Sequence, residues 1–323
     1  MKLLNRNRLL VLVYHGIYDG PKIHGTMPDT FVHVSDAAAQ LREIKRRHHI
    51  IKPEELLHSL ESGASLPHHP TLITFDDGYE SFYRLAEPVL ESLGIRPVVF
   101  VSTRYLEEQR PFWFDFVWAL VMNCEIERVR SLAASLGLDG SLGERKALAM
   151  SALGKLKKMP PDKRDATIQE MADHAEVKSP EYEKLLRLFL PMTKDQIRTL
   201  SDRGVTFGGH THTHTILSVL PQAQAEEEIV INKKRLESIT GKPCDLFAYP
   251  NGGPGDFEEA HKKILRTQGF SAAFTLTQGR SNPRKDPMAI SRLNVAPEDT
   301  PESLLFRCTG ITPIVDWLRT KLL

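Results

Sequence analysis

The chain has 323 residues, with 42 Lys and Arg against 41 Asp and Glu for a formal charge of +1. That length suits two ordinary domains or one large α/β unit, since α/β barrels run to about 250 residues or more, while the near-neutral charge gives no electrostatic footprint for nucleic acid. The three cysteines, Cys124, Cys244 and Cys308, are too few and too scattered for a disulfide framework or a Cys-x-x-Cys metal knuckle. The longest apolar runs, Leu9–Tyr14 and Phe116–Met122, are far too short for a bilayer span, and no small-residue cleavage site follows the first. A soluble, cytoplasmic protein is expected.

Along the chain, short β-rich runs alternate with helical patterns, the signature of βαβ units around a parallel sheet. The expected strands are Leu10–His15, Leu72–Asp76, Pro97–Ser102, Val205–Gly209, Asp245–Tyr249, Ala272–Leu276 and Ser291–Val295. A helix is expected over Ser35–His48, where Leu41 and Ile44 stand at i and i+3. From Pro111 to Pro191 the rhythm breaks. Phe116–Met122, Val129–Leu136 and Leu185–Leu190 predict helices separated by Gly, Pro and charged turns, so residues 111–191 read as a helical insertion between two strands of one sheet. Thr193 with Gln196 forms a capping box for a helix running to about Leu200, which Gly204 stops. Gln222–Ser238 predicts a long polar helix with Ala225, Ile229 and Leu236 on one face. The amphipathic stretch 312–323, with Pro313 suited to a first helical turn, is expected to pack on the body of the protein, with weak peripheral membrane contact as the alternative. Residues 1–323 are read as one domain.

Chemistry concentrates at three strand ends. The first is Thr74-Phe75-Asp76-Asp77-Gly78-Tyr79, where an apolar strand ends in two adjacent carboxylates; ordinary turn and cap chemistry is the plainer account of it. The second is Gly208-Gly209-His210-Thr211-His212-Thr213-His214. If the strand runs out into a helical turn, His210 and His214 converge at i and i+4 while His212 points away. Two imidazoles and one carboxylate make a three-ligand set with an open position, the catalytic form of zinc, and leave the second carboxylate free to act as a base. At the third, Phe247-Ala248-Tyr249-Pro250-Asn251-Gly252-Gly253, glycine-flanked N–H groups suit an oxyanion, although a routine βα turn has the same composition.

Taken together these residues resemble the polysaccharide deacetylase family, the NodB-homology or carbohydrate esterase family 4 enzymes, whose fold is a distorted (β/α)7 barrel. Thr-Phe-Asp-Asp-Gly matches the family's first motif and His210-Thr211-His212-Thr213-His214 its His-Ser/Thr-x-x-His motif, in the family's order. The resemblance implies Asp76 as general base and Asp77, His210 and His214 as ligands of one divalent metal, Zn²⁺ first. The family's Phe-Arg-Pro-Pro-Tyr-Gly element is altered, with Ala248 and Asn251 in place of its arginine and tyrosine. An oxyanion donor near Tyr249 and Asn251 would then be a backbone N–H, and Arg292 is a candidate for the missing arginine. The family's late Leu-x-His is absent too, since no histidine follows His261, but Val13-Tyr14-His15-Gly16 closes the first strand with one. This resembles the exopolysaccharide de-N-acetylase branch, where the strand order is circularly permuted and a Tyr-His near the N-terminus supplies the catalytic acid. In a closed barrel the first and last strands are neighbours, so His15 would reach the site.

The implied reaction is hydrolytic removal of acetyl groups, N-acetyl first, from an acetylated amino-sugar glycan or its lipid- or nucleotide-linked precursor. Trp113, Phe114 and Phe116 are candidates for a sugar platform, or simply core. Two rivals stand beside this reading. An inactive glycan-binding relative would use the same groove without metal. An amidohydrolase-type metal-dependent barrel would carry its His-x-His on the first strand, whereas here that pattern follows the Asp pair.

Overall fold

The computed structural model describes residues 7–21, 28–138, 144–175, 177 and 179–310. The stretch 312–323, for which an amphipathic helix is expected, lies outside these residues. Seven parallel strands form the body: β1 (Leu9–Tyr14), β2 (Pro70–Phe75), β3 (Val98–Val101), β4 (Thr206–Gly209), β5 (Leu246–Ala248), β6 (Ala272–Gln278) and β7 (Ile290–Asn294). Each pairs with the next in the chain, and the ring is closed by β1. It pairs with β2 from Leu10↔Thr71 to Tyr14↔Phe75 and with β7 at Leu12↔Leu293 and Val13↔Asn294. The architecture is a closed (β/α)7 barrel, and every expected strand is one of its staves.

Parallel strands covered on both faces need apolar residues without alternation, and the wholly buried Leu-Leu-Val-Leu-Val-Tyr of β1 meets that need. Its Leu9 and Val11 join Leu72, Val98, Phe100, Leu246, Ala272, Phe274 and Ile290 inside the ring. There the Phe100 and Phe274 rings meet at 5.3 Å from non-adjacent strands. Gly208 makes room for them, because a Cβ at that position would stand 2.5 Å from the Phe100 ring and 2.8 Å from the Leu246 carbonyl oxygen. The even-numbered members of β1 face outward into the larger core shared with the helices.

The helices are α1 (Val34–Arg47), α2 (Pro53–Ser62), α3 (Glu87–Ser92), α4 (Thr103–Glu108), α5 (Trp113–Asn123), α6 (Ile126–Ser135), α7 (Arg145–Leu156), α8 (Pro161–Ala175), α9 (Pro180–Leu188), α10 (Lys194–Asp202), α11 (Gln222–Thr240), α12 (Glu259–Thr267) and α13 (Pro301–Cys308). The capping box of α10 is present, with Thr193 and Gln196 each accepting the other's backbone N–H, and Gly204 follows with φ +92. Helices α5 to α9 lie between β3 and β4 and pack an apolar cluster of their own, into which the barrel side contributes Phe31, Tyr79 and Tyr105. Helix α9 begins earlier than its apolar run, at Pro180, because Ser179 accepts the Tyr182 N–H as an N-cap. Four short strands escape the sequence reading: Gly16–Tyr18 with Phe31–His33 in a small sheet, His49–Ile50 beside β2, and Arg280–Ser281 antiparallel to β1. Two or three residues are too few to show a period. No helix among the described residues is long and apolar enough to cross a membrane.

Candidate active site

All the chemistry-bearing loops leave the carboxyl ends of the strands, the face where α/β barrels hold ligands. After β2 the Asp76 N–H still donates to the Tyr14 carbonyl, and then Asp77 and Gly78 turn the chain at φ +70 and +73. That bend sends the two adjacent carboxylates in different directions. After β4 the His210 N–H donates to Asn232 Oδ1 (3.1 Å), while Asn232 Nδ2 donates to the carbonyls of Val101 (2.8 Å) and Thr211 (2.7 Å). Ser102 Oγ donates to the His210 carbonyl at 2.6 Å. The expected helical turn is not what brings the histidines together. Thr211 and His214 take φ of +56 and +55, and the Thr215 N–H goes to the Thr211 hydroxyl, because Ser102 and Asn232 have already claimed the His210 and Thr211 carbonyls that a helical turn would use. Of the six non-glycine residues with positive φ among the described residues, four are Asp77, Thr211, His214 and Asn251, a concentration of strain that marks functional loops.

The outcome of that bend is the expected cluster: ligand atoms of Asp77, His210 and His214 all lie within 4.8 Å of one another, and all three residues are buried or nearly so. Asp77 Oδ1 is 3.2 Å from His214 Nε2 and 3.7 Å from His210 Nε2, yet it is buried without a well-formed hydrogen bond. His210 Nδ1 is held by the Ala248 carbonyl at 2.7 Å. Burial lowers the His210 pKa to about 4, outweighing the nearby carboxylates, so at neutral pH Nδ1 carries the proton and Nε2 is an acceptor. Burial raises and the three surrounding imidazoles, His214 foremost, lower the Asp77 pKa, and the net result lies well below the usual carboxylate range. Two acceptors facing each other at 3.7 Å repel, and a shared cation removes the conflict. With Nδ1 anchored on a carbonyl, as in metal-bound histidines, the residues fit a divalent metal.

Asp76 turns the other way, onto Arg292. The guanidinium makes two parallel bonds of 2.7 Å to the carboxylate oxygens, Nε donates to the Thr275 carbonyl at 3.0 Å, and neither side chain is more than 2% exposed. Burial pushes the Asp76 pKa up, but the charge of Arg292 and then of His210 outweighs it and keeps the group ionised. Arg292 therefore stands behind the carboxylate and does not face a substrate. His15, at the end of β1, is half-buried, its Nδ1 is solvent-excluded without a hydrogen bond, and its ring lies within electrostatic range of Asp76 and Asp77. Asn251 sits in the tight turn after β5 at φ +60, and its N–H makes none of the backbone hydrogen bonds among the described residues.

Two expectations change. Tyr249 does not join the site: its N–H, near which an oxyanion donor is expected, donates to the Phe274 carbonyl at 3.0 Å, its hydroxyl donates to the Met288 carbonyl at 3.0 Å and its ring stacks on Phe257 at 3.9 Å, because the apolar alternation of β5 turns it into the outer core. Of the aromatic trio, only Phe114 meets the site, with its ring 4.7 Å from that of His214, whereas Trp113 is buried beneath Arg164 and Phe116 packs within the helical cluster. His212 points away as expected, with Nδ1 3.0 Å from the Thr103 hydroxyl. Asn232 escaped the sequence reading. Its signal was available, a polar residue on the same α11 stripe as Ala225, Ile229 and Leu236.

A parallel barrel with acidic and imidazole groups converging at its carboxyl end defines a hydrolase-type site, and comparison with known proteins identifies the family. The polysaccharide deacetylase profile matches residues 64–273, well over half of the sequence. The chain belongs to the polysaccharide deacetylase family. His15 and Arg292 lie outside the matched stretch. The chain is 23% identical over 106 residues to "Putative polysaccharide deacetylase YxkH" of Bacillus subtilis (strain 168), spanning 33% of this chain and 37% of that protein. Its fold resembles that of Streptococcus pyogenes deacetylase PplD in complex with acetate (16% identity, 94% of this chain and 99% of that one, TM-score 0.63). It also resembles the de-N-acetylase from Aggregatibacter actinomycetemcomitans (15%, 93% and 99%, 0.62) and IcaB from Ammonifex degensii (21%, 94% and 97%, 0.58).

Two outcomes are expected from this geometry. Metal analysis of purified His214→Ala should show the divalent-metal content collapsing, while His212→Ala keeps most of it; equal loss in both would mean that His212 is a ligand. In urea unfolding, Arg292→Met should lose about 3–5 kcal/mol at neutral pH, the usual effect of stripping a buried charge of its partner. Because the folded-state pKa of Asp76 is depressed, its contribution to stability is present above the unfolded pKa and is lost as pH falls through the folded one. The deficit of Arg292→Met should therefore narrow in acid.

Proposed function

We propose that this chain is a metal-dependent deacetylase that hydrolyses N-acetyl groups on hexosamine units of a glycan, or of its lipid- or nucleotide-linked precursor. The observation that carries the reading is the division of labour between adjacent carboxylates, with Asp77 turned to two imidazoles and Asp76 held ionised by Arg292. Asp77, His210 and His214 would hold one divalent ion, Zn²⁺ first, with an open position left for chemistry. When bound, such an ion polarises a carbonyl and lowers the pKa of water from about 15.7 towards about 7.

The chain's own groups divide the remaining work. Asp76 takes the proton of the attacking water as its oxygen adds to the acetamide carbon. The Asn251 N–H, fixed by the turn, donates to the oxyanion as it develops. His15 gives a proton to the departing nitrogen as the C–N bond breaks, leaving acetate and a free amino sugar. An inactive glycan-binding role is disfavoured because the three-ligand cluster and its adjacent carboxylate are complete. An amidohydrolase arrangement is disfavoured because the histidine pair follows β4, and β1 ends in a single histidine.

Acetate release from a panel of N-acetylhexosamine glycans should require metal and stop with chelator; chelator-insensitive turnover would refute the metal reading. Asp76→Asn should retain metal and lose roughly 10²–10⁴-fold in activity, the typical contribution of a general base; if it loses metal instead, the two carboxylates have exchanged roles. His15→Ala should be severely impaired on an N-acetyl sugar yet nearly competent on an activated aryl acetate, whose leaving group needs no proton. Equal impairment on both would make His15 structural.

A further inference from the structure

Helix α5 is apolar from Trp113 to Met122 with one exception: Asp115, only 3% exposed, among Trp113, Val117 and Trp118. No cation is paired with it among the described residues; its hydrogen-bond partner is the Tyr79 hydroxyl, which donates to Asp115 Oδ2 at 2.7 Å. A carboxyl taken from water for one hydrogen bond is a poor contributor to stability, and replacing such a buried polar pair, both partners together, by apolar groups of similar shape is often neutral or stabilising. A reason for Asp115 has to be sought in what it holds.

Tyr79 is itself 1% exposed and comes two residues after Asp77. Its phenol faces the Asp77 carboxylate as well as Asp115. The turn between them is the strained one, and the segment that follows α9 grips its backbone: the Met192 N–H donates to the Gly78 carbonyl (2.9 Å), the Glu80 N–H to the Leu190 carbonyl (2.8 Å), and Tyr79 bridges Pro191. The helical segment thus holds the metal-facing turn by its backbone at one end and by a buried side-chain hydrogen bond at the other.

We propose that Asp115 is a positioning residue for the candidate metal centre: by fixing the Tyr79 hydroxyl it holds the Asp77 turn so that Asp77 Oδ1 stays on the His210 and His214 nitrogens. The proposal rests on the metal reading above. It gives the helical insertion a function in building the site, because a ligand carboxylate must be oriented by groups behind it before it can bind tightly.

The test uses the full chain, Zn²⁺ as the probe, and competition with a chromophoric chelator. Asp115→Leu and Tyr79→Phe should each weaken Zn²⁺ binding by roughly 10–100-fold, the range for outer groups that orient metal ligands. Asp115→Asn, which keeps an acceptor at the same place, should stay within a few-fold of wild type. The Tyr79→Phe/Asp115→Leu double variant should be no weaker than either single one, since both remove the same interaction. Thermal unfolding without metal supplies the second readout, and the double variant, in which neither partner is left buried without the other, should melt no lower than wild type. Unchanged affinity in Asp115→Leu, additive losses in the double variant, or a lowered metal-free melting temperature shared equally by the Leu and Asn variants would overturn the proposal. Failure of the wild-type chain to bind Zn²⁺ overturns instead the metal reading on which it rests.

Discussion

Arg292 and Asp76 face each other at the mouth of the barrel with water excluded from both. Removing two charges from water costs several kcal/mol for each ion, and only good geometry with further hydrogen bonds offsets it. Here the guanidinium fork meets both carboxylate oxygens, the Thr275 carbonyl takes Nε–H, and the Phe100 ring lies 5.6 Å beneath the cation. The pair reaches from β7 to β2 past β1, so it exists only when β1 has closed the ring. Closure and chemistry are therefore one condition: the same register that seals the barrel fixes the ionisation of Asp76 and sets His15 beside it.

The remainder of the site is built around strain that other groups must hold. Left-handed backbone at Asp77, Thr211, His214 and Asn251 is unfavourable for side-chain-bearing residues, by about 1–3 kcal/mol each when the conformation is sparsely populated. At the histidine loop the restraint is Asn232, fully buried and hydrogen-bonded to both sides of the bend and to β3. Gly209 is the complement to it, because a Cβ there would stand 2.6 Å from Asn232 Oδ1. The Gly-Gly before the first histidine thus has two separate reasons, one inside the barrel at Gly208 and one outside it at Gly209.

The helices between β3 and β4 do more than decorate the barrel. Phe112 and Phe114 from their leading end pack against His214 at 5.6 and 4.7 Å. Arg104, whose N–H donates to the His212 carbonyl, is paired with Asp165 of α8. An apolar wall on one side of the imidazole and hydrogen bonds behind the loop limit solvent access to the cluster, which strengthens every electrostatic interaction within it.

By itself the sequence determined the seven strands, their parallel order, the helical break at 111–191 and the two motifs that share one barrel mouth, because buried parallel strands need uninterrupted apolar runs and chemistry collects at their carboxyl ends. Composition and spacing also joined His210 and His214 to one carboxylate of the Asp76-Asp77 pair, and the family resemblance implied that this carboxylate is Asp77. Only the tertiary structure decided how they meet. The histidine loop has no helical turn because Ser102, 108 residues from His210, and Asn232, 21 residues from Thr211, take up the carbonyls it would use, and periodicity within a motif cannot register competitors that distant. Arg292 lies 216 residues from Asp76, and nothing local to either says that they form a bidentate pair. Tyr249 was equally ambiguous. Its place beside Asn251 suggested the site, and the pleat of β5, fixed by pairing with its neighbours, turned it into the core. Local pattern selects elements and their faces; which side chains from separate elements meet is set by register and closure, and those are properties of the whole barrel.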